Sequence, residues 1–415
     1  MYDVIIIGGG AAGLFLAANI PDKNVLLLES SQRMGKKILI TGGGMCNLTN
    51  NKDTSTFLKH FANKEQTNFL KPSLMNLPTL QTRLWFENRG LPLTERDDGK
   101  VFPSCMNAKA VVDLLEHEAA KNRVVSRVNT KVLKLHKEEH SGTYLVDTEH
   151  EQFQAKHVVL TTGGMSYPAT GSDGSGYALA KMMGHSIVSP SPALVAVTIS
   201  DYPYTAIAGN SIREAMVEFF HKDEAKRYNQ ATGDMLFTHD GLSGPVILNN
   251  SRVIRKGDLL KASLLPCSNK EELKNNLTEL FFNYPKKQLY TLLKGEGIIA
   301  HLAEQLLQGL SLTKEETCAN LSKDKRNNLI ELLTAFPFTV SGKKGFNTAM
   351  VTSGGIALDE VDRKTMESKI QKGLYICGEV LDIDGDSGGF NLQAAFSTAK
   401  MVADALVKEG VQNGF

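Results

Sequence analysis

The chain opens on a short apolar, β-branched run, Val4–Ile7, followed by three glycines and the apolar stretch AAGLFLAANI. An apolar run of that length, closed by a glycine turn, predicts a strand covered on both faces and then a helix. A second run, NVLLLE, ends in Glu29 and predicts a second strand. Residues 124–150 alternate apolar and polar, as in TKVLKLHKEE and TYLVDTEH, and predict a small antiparallel meander. HVVLTTGG then reads as a strand entering a glycine turn. GSDGSGYALAKMMGH reads as a turn and a helix ended by Gly184. Near the far end, GLYICGEVLDIDGDSGGFNLQAAFSTAKMVADAL predicts a strand, an acidic glycine-rich turn and a long amphipathic helix.

Between these blocks the pattern changes. ALVAVTIS, EAMVEFF, GDMLFTHDGLSGPVIL and DLLKASLLP read as strands separated by turns, hence a small barrel over 191–268. KEELKNNLTELFFNY, GIIAHLAEQLL and DKRNNLIELLTAF have helical periodicity, hence a helical cap over 269–338. The expected organisation is an α/β domain in two parts, 1–190 and 339–415, split by that insertion. The length of 415 residues suits two or three domains.

Charge and cysteines narrow the function. A formal net charge of +1 provides no one-signed field to draw the protein to nucleic acid or acidic membranes. Basic and aromatic residues are not interleaved as in a nucleic-acid binder, so no nucleic acid is expected as a partner. The five cysteines are scattered, with no CxxC or Cys/His cluster, which argues against a disulfide framework or a metal site. The N-terminus carries Asp3 and is broken by glycines, unlike a signal peptide. No apolar run reaches the roughly 18 residues of a membrane span. A cytoplasmic protein is the expectation, with oligomeric state open.

The candidate chemistry starts at Gly8, Gly10 and Gly13, which fit G-x-G-x-x-G between strand and helix. The first glycine permits the tight turn, the second lets a pyrophosphate approach the backbone, and the third lets helix and strand pack closely. Glu29 ends the second strand about where this unit places an acid on a ribose hydroxyl, which disfavours a 2′-phosphate. No second fingerprint follows a strand, so one nucleotide-binding core is expected and no separate NAD(P)H domain.

ITGGGMCNLTN, residues 40–50, adds a glycine loop with no packing reason to exist. With Gly35, Lys36 and Lys37 before it, this block resembles the BaiN/RdsA-type (YhiN-like) NAD(P)/FAD-dependent oxidoreductases. Gly42, Gly43, Gly44, Cys46, Asn47, Leu48, Thr49 and Asn50 match that family's loop, whereas Met45 stands where it usually has arginine. The C-terminal block is similar to the same family's flavin segment, with Phe390 where tyrosine is frequent. LFTHDGLSGP resembles its barrel signature.

The resemblance implies a two-dinucleotide-type FAD-binding Rossmann-like core and an FAD-dependent oxidoreductase. It implies either NAD(P)H-driven reduction of an unsaturated or carbonyl small molecule, or oxidation of a small amine such as an aminoketone. A flavin-dependent nucleic-acid modifier and a redox sensor are further alternatives. NAD(P)H would be a transient co-substrate. FAD contacts are expected from Gly8, Gly10, Ala12, Gly13, Glu29, Ser30, Lys36, Lys37, Thr41, Gly42, Gly43, Gly44 and Asn47. From the middle of the chain they are expected from Val132, Thr162, Gly163 and Gly164. The last block would contribute Gly378, Glu379, Asp384, Gly389, Phe390, Asn391 and Leu392, the last three through N–H groups aimed at the flavin N1–C2=O edge. Cys46 is expected to be a packing residue. Tyr167, His239, Lys343 and Lys344 are candidate proton carriers, each with an equally plain structural reading, and no catalytic residue is assigned.

Overall fold

The computed structural model describes residues 1–412. Two compact units divide the chain, Met1–Ala193 with Ala349 onward, and Leu194–Thr348.

The first unit is built on a seven-stranded sheet. Its order is Val125–Arg127, Val25–Leu28, Tyr2–Ile7, Gln152–Leu160, Tyr144–Thr148 and Val132–Lys137, and Leu374–Ile376 also pairs with Gln152–Leu160. The strands around Tyr2–Ile7 run parallel, with Ile5 opposite both Leu26 and Val158. They are the apolar runs of the sequence, and each is buried on both faces as a parallel sheet requires. The far edge is the expected meander, with Leu135 opposite Val146 and Val146 opposite Phe153. Val125–Arg127 does not join it. This segment pairs in parallel with Val25–Leu28 and forms the other sheet edge, because an arginine and a serine suffice where one face and one edge meet water.

Helix Ala11–Ala17 packs on the sheet, and helix Phe390–Gln412 packs against that helix. Phe15 and Phe396 meet at 4.9 Å between ring centroids, and Trp85 lies 4.7 Å from Phe15. Each such fully buried ring contributes roughly 1.5–3 kcal/mol through the area it removes from water.

The second unit holds a closed barrel in the order Val197–Ile199, Gly241–Ser243, Arg227–Phe237, Ser211–Phe220, Leu259–Ala262 and Phe336–Lys343. Helices Lys270–Asn283, Leu289–Gly295, Ala300–Gly309 and Lys323–Thr334 lie in the cap region. Two of them start where sequence chemistry places caps. The Asn269 side chain accepts from Glu271 N and Glu272 N, and Ser322 accepts from Lys325 N. Barrel residues Phe219, Phe237 and Phe338 and cap residues Leu277, Phe281, Leu302 and Leu329 form one apolar core.

The expected division at 338/339 falls inside a strand. Phe336–Lys343 closes the barrel by pairing with both Leu259–Ala262 and Val197–Ile199. The chain therefore stays in the second unit until 348. The other boundary lies at 193/194 for a related reason. Ile187–Ala193 pairs antiparallel with Val351–Ile356, placing Ala193 opposite Val351 where the chain leaves the first unit and returns to it.

Candidate cofactor site

The strand–turn–helix at the N-terminus is fixed by its glycines, each in a different way. Gly8 has φ +112°, and a Cβ there would lie 2.6 Å from Thr161 O. A Cβ on Gly13 would lie 1.9 Å from Gly8 O. Both positions are closed by the protein itself. Gly10 is different: its φ is −83°, and a Cβ would meet nothing within 4 Å. Gly10 therefore borders open space at the N-terminus of helix Ala11–Ala17. Thr161 Oγ1 ties the turn down, lying 3.0 Å from Ile7 O and 2.7 Å from Gly8 O.

Beside this turn lies a recess lined by Gly8, Glu29, Ser30, Val132, Thr162 and Gly171. Glu29 is buried, and its carboxylate is held from two sides. Oε2 accepts from Gly9 N at 2.8 Å and Oε1 from Ser31 N at 2.7 Å. The Ser30 hydroxyl stands 3.4 Å from Oε1. Thr162 Oγ1 is buried in the wall of this recess without a hydrogen-bond partner. A buried hydroxyl left unpaired costs free energy unless a ligand satisfies it. Open space at Gly10, an anchored carboxylate and an orphaned hydroxyl fit the pyrophosphate and adenosine of a dinucleotide.

The second block forms a tight loop. Gly42, Gly43 and Gly44 have φ of +57°, +68° and +87°, all in the left-handed region. For Gly43 and Gly44 it is this φ, and not crowding, that demands glycine, because their nearest neighbours would be 4.0 and 3.8 Å from a Cβ. Thr41 Oγ1 donates to Ile38 O at 2.6 Å and braces the turn. Cys46 follows, fully buried, and burial pushes its thiol up to about 12. That thiol stays protonated at neutral pH, as a packing residue should. Asn47 links this block to the last one. In the amide orientation that satisfies its neighbours, it donates to Thr49 O and Val101 O and accepts from Gly389 N at 3.1 Å.

Lys37 and Glu379 are brought together from opposite ends of the chain. Lys37 Nζ lies 2.7 Å from Glu379 Oε2 and donates to Ser166 Oγ at 2.7 Å. Ser166 Oγ and Thr352 N both donate to Glu379 Oε1, at 2.9 Å each. Lys36 Nζ donates to Ala169 O at 2.7 Å. Both lysines and Glu379 thus engage protein partners and position the segments around the site. Gly163 adopts φ +71°, and a Cβ on Gly164 would lie 2.4 Å from Thr352 Oγ1. Gly378 has φ +80°, and a Cβ there would press on the Ala12 methyl at 2.8 Å. The Tyr177 hydroxyl is pushed upward from its usual range by burial, with Glu379 and Asp382 adding to the effect.

The last block closes the site. Asp384 is fully buried, and its Oδ1 accepts from Gln66 Nε2 at 3.2 Å. The Asn391 side chain accepts from Gly385 N at 2.8 Å and donates to Gly385 O and Asp386 O, bracing the acidic turn. Helix Phe390–Gln412 therefore starts from a fixed point. The N–H groups of Phe390, Asn391 and Leu392 open it, and helix geometry gives them no carbonyl within the helix. Such a terminus favours negative charge.

Two features carried no local sequence signal. Gln393, fully buried, accepts from Thr49 Oγ1 and donates toward Leu77 O, Thr82 Oγ1 and Ser397 Oγ. His60 stacks on Phe390 at 4.1 Å between ring centroids, and its Nδ1 lies 3.0 Å from Asp386 Oδ2. Apart from Ser397, their partners are hundreds of residues away, so only the fold reveals them.

The candidate proton carriers belong to different units. Tyr167 has φ +52° and its carbonyl accepts from Thr170 N, so it makes the turn entering Pro168–Thr170. His239, Lys343 and Lys344 belong to the second unit. Lys343 Nζ donates to Ser251 O at 2.9 Å, and burial lowers its basicity, while Lys344 pairs with Asp240. Among the described residues no His/Cys/Asp/Glu group is arranged to hold a metal ion.

A largely parallel sheet with a glycine turn after its first strand and an acid at the end of its second defines a Rossmann-type nucleotide-binding domain, here with an insertion that holds a closed barrel. The chain belongs to the family described as HI0933-like protein Rossmann domain, which it matches over residues 2–405. It is 31% identical over 411 residues to the ribosomal RNA dihydrouridine synthase of Haemophilus influenzae, covering 98% of each chain. It is 30% identical over 418 residues to the 3-dehydro-bile acid delta(4,6)-reductase of Clostridium scindens, covering 98% of this chain and 99% of the relative. Its fold is similar to that of 3-ketosteroid delta1-dehydrogenase from Sterolibacterium denitrificans, with a TM-score of 0.51 at 14% identity, over 98% of this chain and 99% of that one. Among the described residues no helix is long and apolar enough to cross a membrane.

Proposed function

We propose that this protein reduces a carbon–carbon double bond conjugated to a carbonyl, using NAD(P)H as the source of electrons. The observation that supports an anion-stabilising redox site is the open helix terminus at Phe390–Leu392, braced by Asn391 and tied through Gly389 to Asn47 of the glycine loop. The N–H groups there stabilise negative charge by roughly 0.3–1 kcal/mol when exposed and more when partly buried. Bound FAD supplies the two-electron chemistry, accepting and donating hydride equivalents. Glu29, Thr162 and the space at Gly10 would hold its nucleotide end.

The substrate class comes from what two relatives share. Dihydrouridine differs from uridine by two hydrogens across a double bond conjugated to a carbonyl. A delta(4,6)-reductase acting on a 3-dehydro bile acid acts on a 4-ene in the same relation to the 3-ketone and on a 6-ene conjugated to it through the 4-ene. For a double bond directly conjugated to a carbonyl, reduction would place hydride on the β-carbon, move the π pair toward the carbonyl oxygen and add a proton at the α-carbon. The near-neutral charge favours a free small molecule as the carrier of that bond. The likeness to the ribosomal RNA enzyme supports a second reading, uracil within RNA. All five cysteines are free, which suits the reducing cytoplasm in which we place the protein.

The test is an anaerobic titration of the flavin-loaded protein with NADPH and then NADH. Bleaching of the flavin by either supports the electron source proposed. A flavin that stays oxidised with both, but bleaches with an aminoketone, replaces this reading with an amine oxidase.

A further inference from the structure

Strands Leu93–Glu95 and Lys100–Pro103 form a hairpin whose turn starts at Arg96. Arg96 N donates to Lys100 O at 2.9 Å, and Gly99 N donates to Arg96 O at 2.8 Å, so the backbone there is fixed. The Arg96 guanidinium carbon lies 4.1 Å above the centre of the Phe102 ring, and Nη2 lies 3.5 Å from Met45 Sδ. Phe102 itself rests on the glycine loop, with Cε1 3.2 Å from where a Gly42 Cβ would stand. The guanidinium is therefore held against the outer side of the Gly42–Met45 loop, and it is exposed.

Two carboxylates of this turn have other partners. Glu95 pairs with Arg83 at 2.9 Å and accepts from Asn51 at 2.8 Å. Asp98 pairs with Lys100 at 2.5 Å. Among the described residues none holds a carboxylate within ion-pair distance of Arg96, and the Asp98 charge acts on it only from farther away. Lys100 is the other cation of the hairpin, and Asp98 already neutralises it. A planar fork of donors, restrained by a ring face and a thioether and with no carboxylate in ion-pair contact, is prearranged for an oxyanion.

Met45 stands where a loop arginine is expected, and the side chain lying against it is an arginine from another element. We propose that Arg96 binds an oxyanion of the substrate at the glycine loop, a carboxylate or a phosphate, and so supplies the cation that the loop lacks. The inference rests on the reading of this loop as the edge of the redox site. Arg96 positions the substrate and takes no part in moving its electrons.

The test uses the flavin-loaded protein, with acetate and inorganic phosphate as probes, followed by calorimetry and by the flavin absorbance. Three forms are compared: wild type, Arg96→Met, and the exchange Met45→Arg with Arg96→Met. Wild type is expected to bind at least one probe saturably. Arg96→Met is expected to bind it at least tenfold more weakly, and the exchange to recover most of that loss. The probe that saturates at lower concentration identifies the carboxylate or the phosphate. A second readout compares a 3-oxo-4-ene steroid acid with its methyl ester. Arg96→Met is expected to raise KM at least tenfold for the acid, leaving kcat and the ester unchanged. Absence of saturable binding in wild type, equal binding by Arg96→Met, or equal KM changes for acid and ester would overturn the proposal. If no conjugated enone is reduced by wild type, the proposed function fails, and the probe titration still decides the role of Arg96. Arg96→Lys, with its charge but not its fork, is expected to fall between wild type and Arg96→Met.

Discussion

Replacing Gly10 by valine separates binding from folding. The backbone at this residue has φ −83°, which any L-residue can adopt, and a Cβ would meet no protein atom within 4 Å. Removing a glycine from the unfolded chain favours folding by about 0.4–1 kcal/mol. Valine is a poor residue at a helix N-cap, which costs an amount of similar size. The two effects offset one another, so the apoprotein should melt within a few degrees of wild type. Cofactor binding should respond differently, because the valine methyls would fill the space in which a pyrophosphate meets the helix terminus. Loss of two charge-assisted hydrogen bonds at about 1.5–3 kcal/mol each amounts to about 3–6 kcal/mol. That is a weakening of FAD binding by roughly 10²- to 10⁴-fold. Calorimetric titration of apoprotein with FAD, beside a circular-dichroism melt, measures both quantities. Gly13→Ala is the control. Its Cβ would lie 1.9 Å from Gly8 O and 2.8 Å from Thr161 Oγ1, so it should fail to fold whether or not FAD is present. A Gly10→Val protein that is purified yellow and fully loaded would refute the reasoning.

The other expectations are smaller in scope. Lys37→Met should lower stability by about 1–3 kcal/mol, because it strands the half-buried Glu379 carboxylate, and adding Glu379→Gln should restore part of the loss in urea melts. Asp382 has its carboxyl pushed up by burial and by the neighbouring Asp384, so its charge disfavours the fold once pH passes the ordinary carboxylate value. Asp382→Asn keeps an acceptor for Gly354 N and should therefore stabilise the apoprotein at neutral pH. That gain should fade as pH falls toward about 4, where the unfolded carboxyl is itself protonated; a gain that persists unchanged to low pH would contradict this. Iodoacetamide on the native protein at pH 8 should label the exposed Cys105 and leave the buried Cys46 intact, as read by mass spectrometry of its peptides.

Local chemistry made much of this molecule legible in its sequence. Apolar runs at Val4–Ile7 and Val25–Leu28 are central parallel strands, and Gly8 follows the first strand, Gly10 caps the helix and Gly13 lies in its first turn, as their spacing requires. The barrel and the helical cap also followed from periodicity. What escaped depends on pairing across sequence distance. The parallel partner of Val125–Arg127 lies a hundred residues upstream, and a short polar segment carries no sign of it. Phe336–Lys343 joins the barrel by pairing with Leu259–Ala262 and with Val197–Ile199, the latter well over a hundred residues upstream. Lys37 and Glu379 read as two separate cofactor contacts, and in the fold they hold each other. Arg96, in a turn of the form ERDDGK, looks like a solvated charge until Met45 and Phe102 are placed beside it.

The most direct measurement starts from protein whose flavin has been reduced anaerobically by light, so that no nicotinamide is present. It is mixed in a stopped-flow instrument with a conjugated enone, and in parallel with its saturated ketone. The account predicts that the enone alone restores the oxidised flavin spectrum and gains two hydrogens. If neither compound reoxidises the flavin while oxygen does so rapidly, the protein is not a reductase of conjugated double bonds.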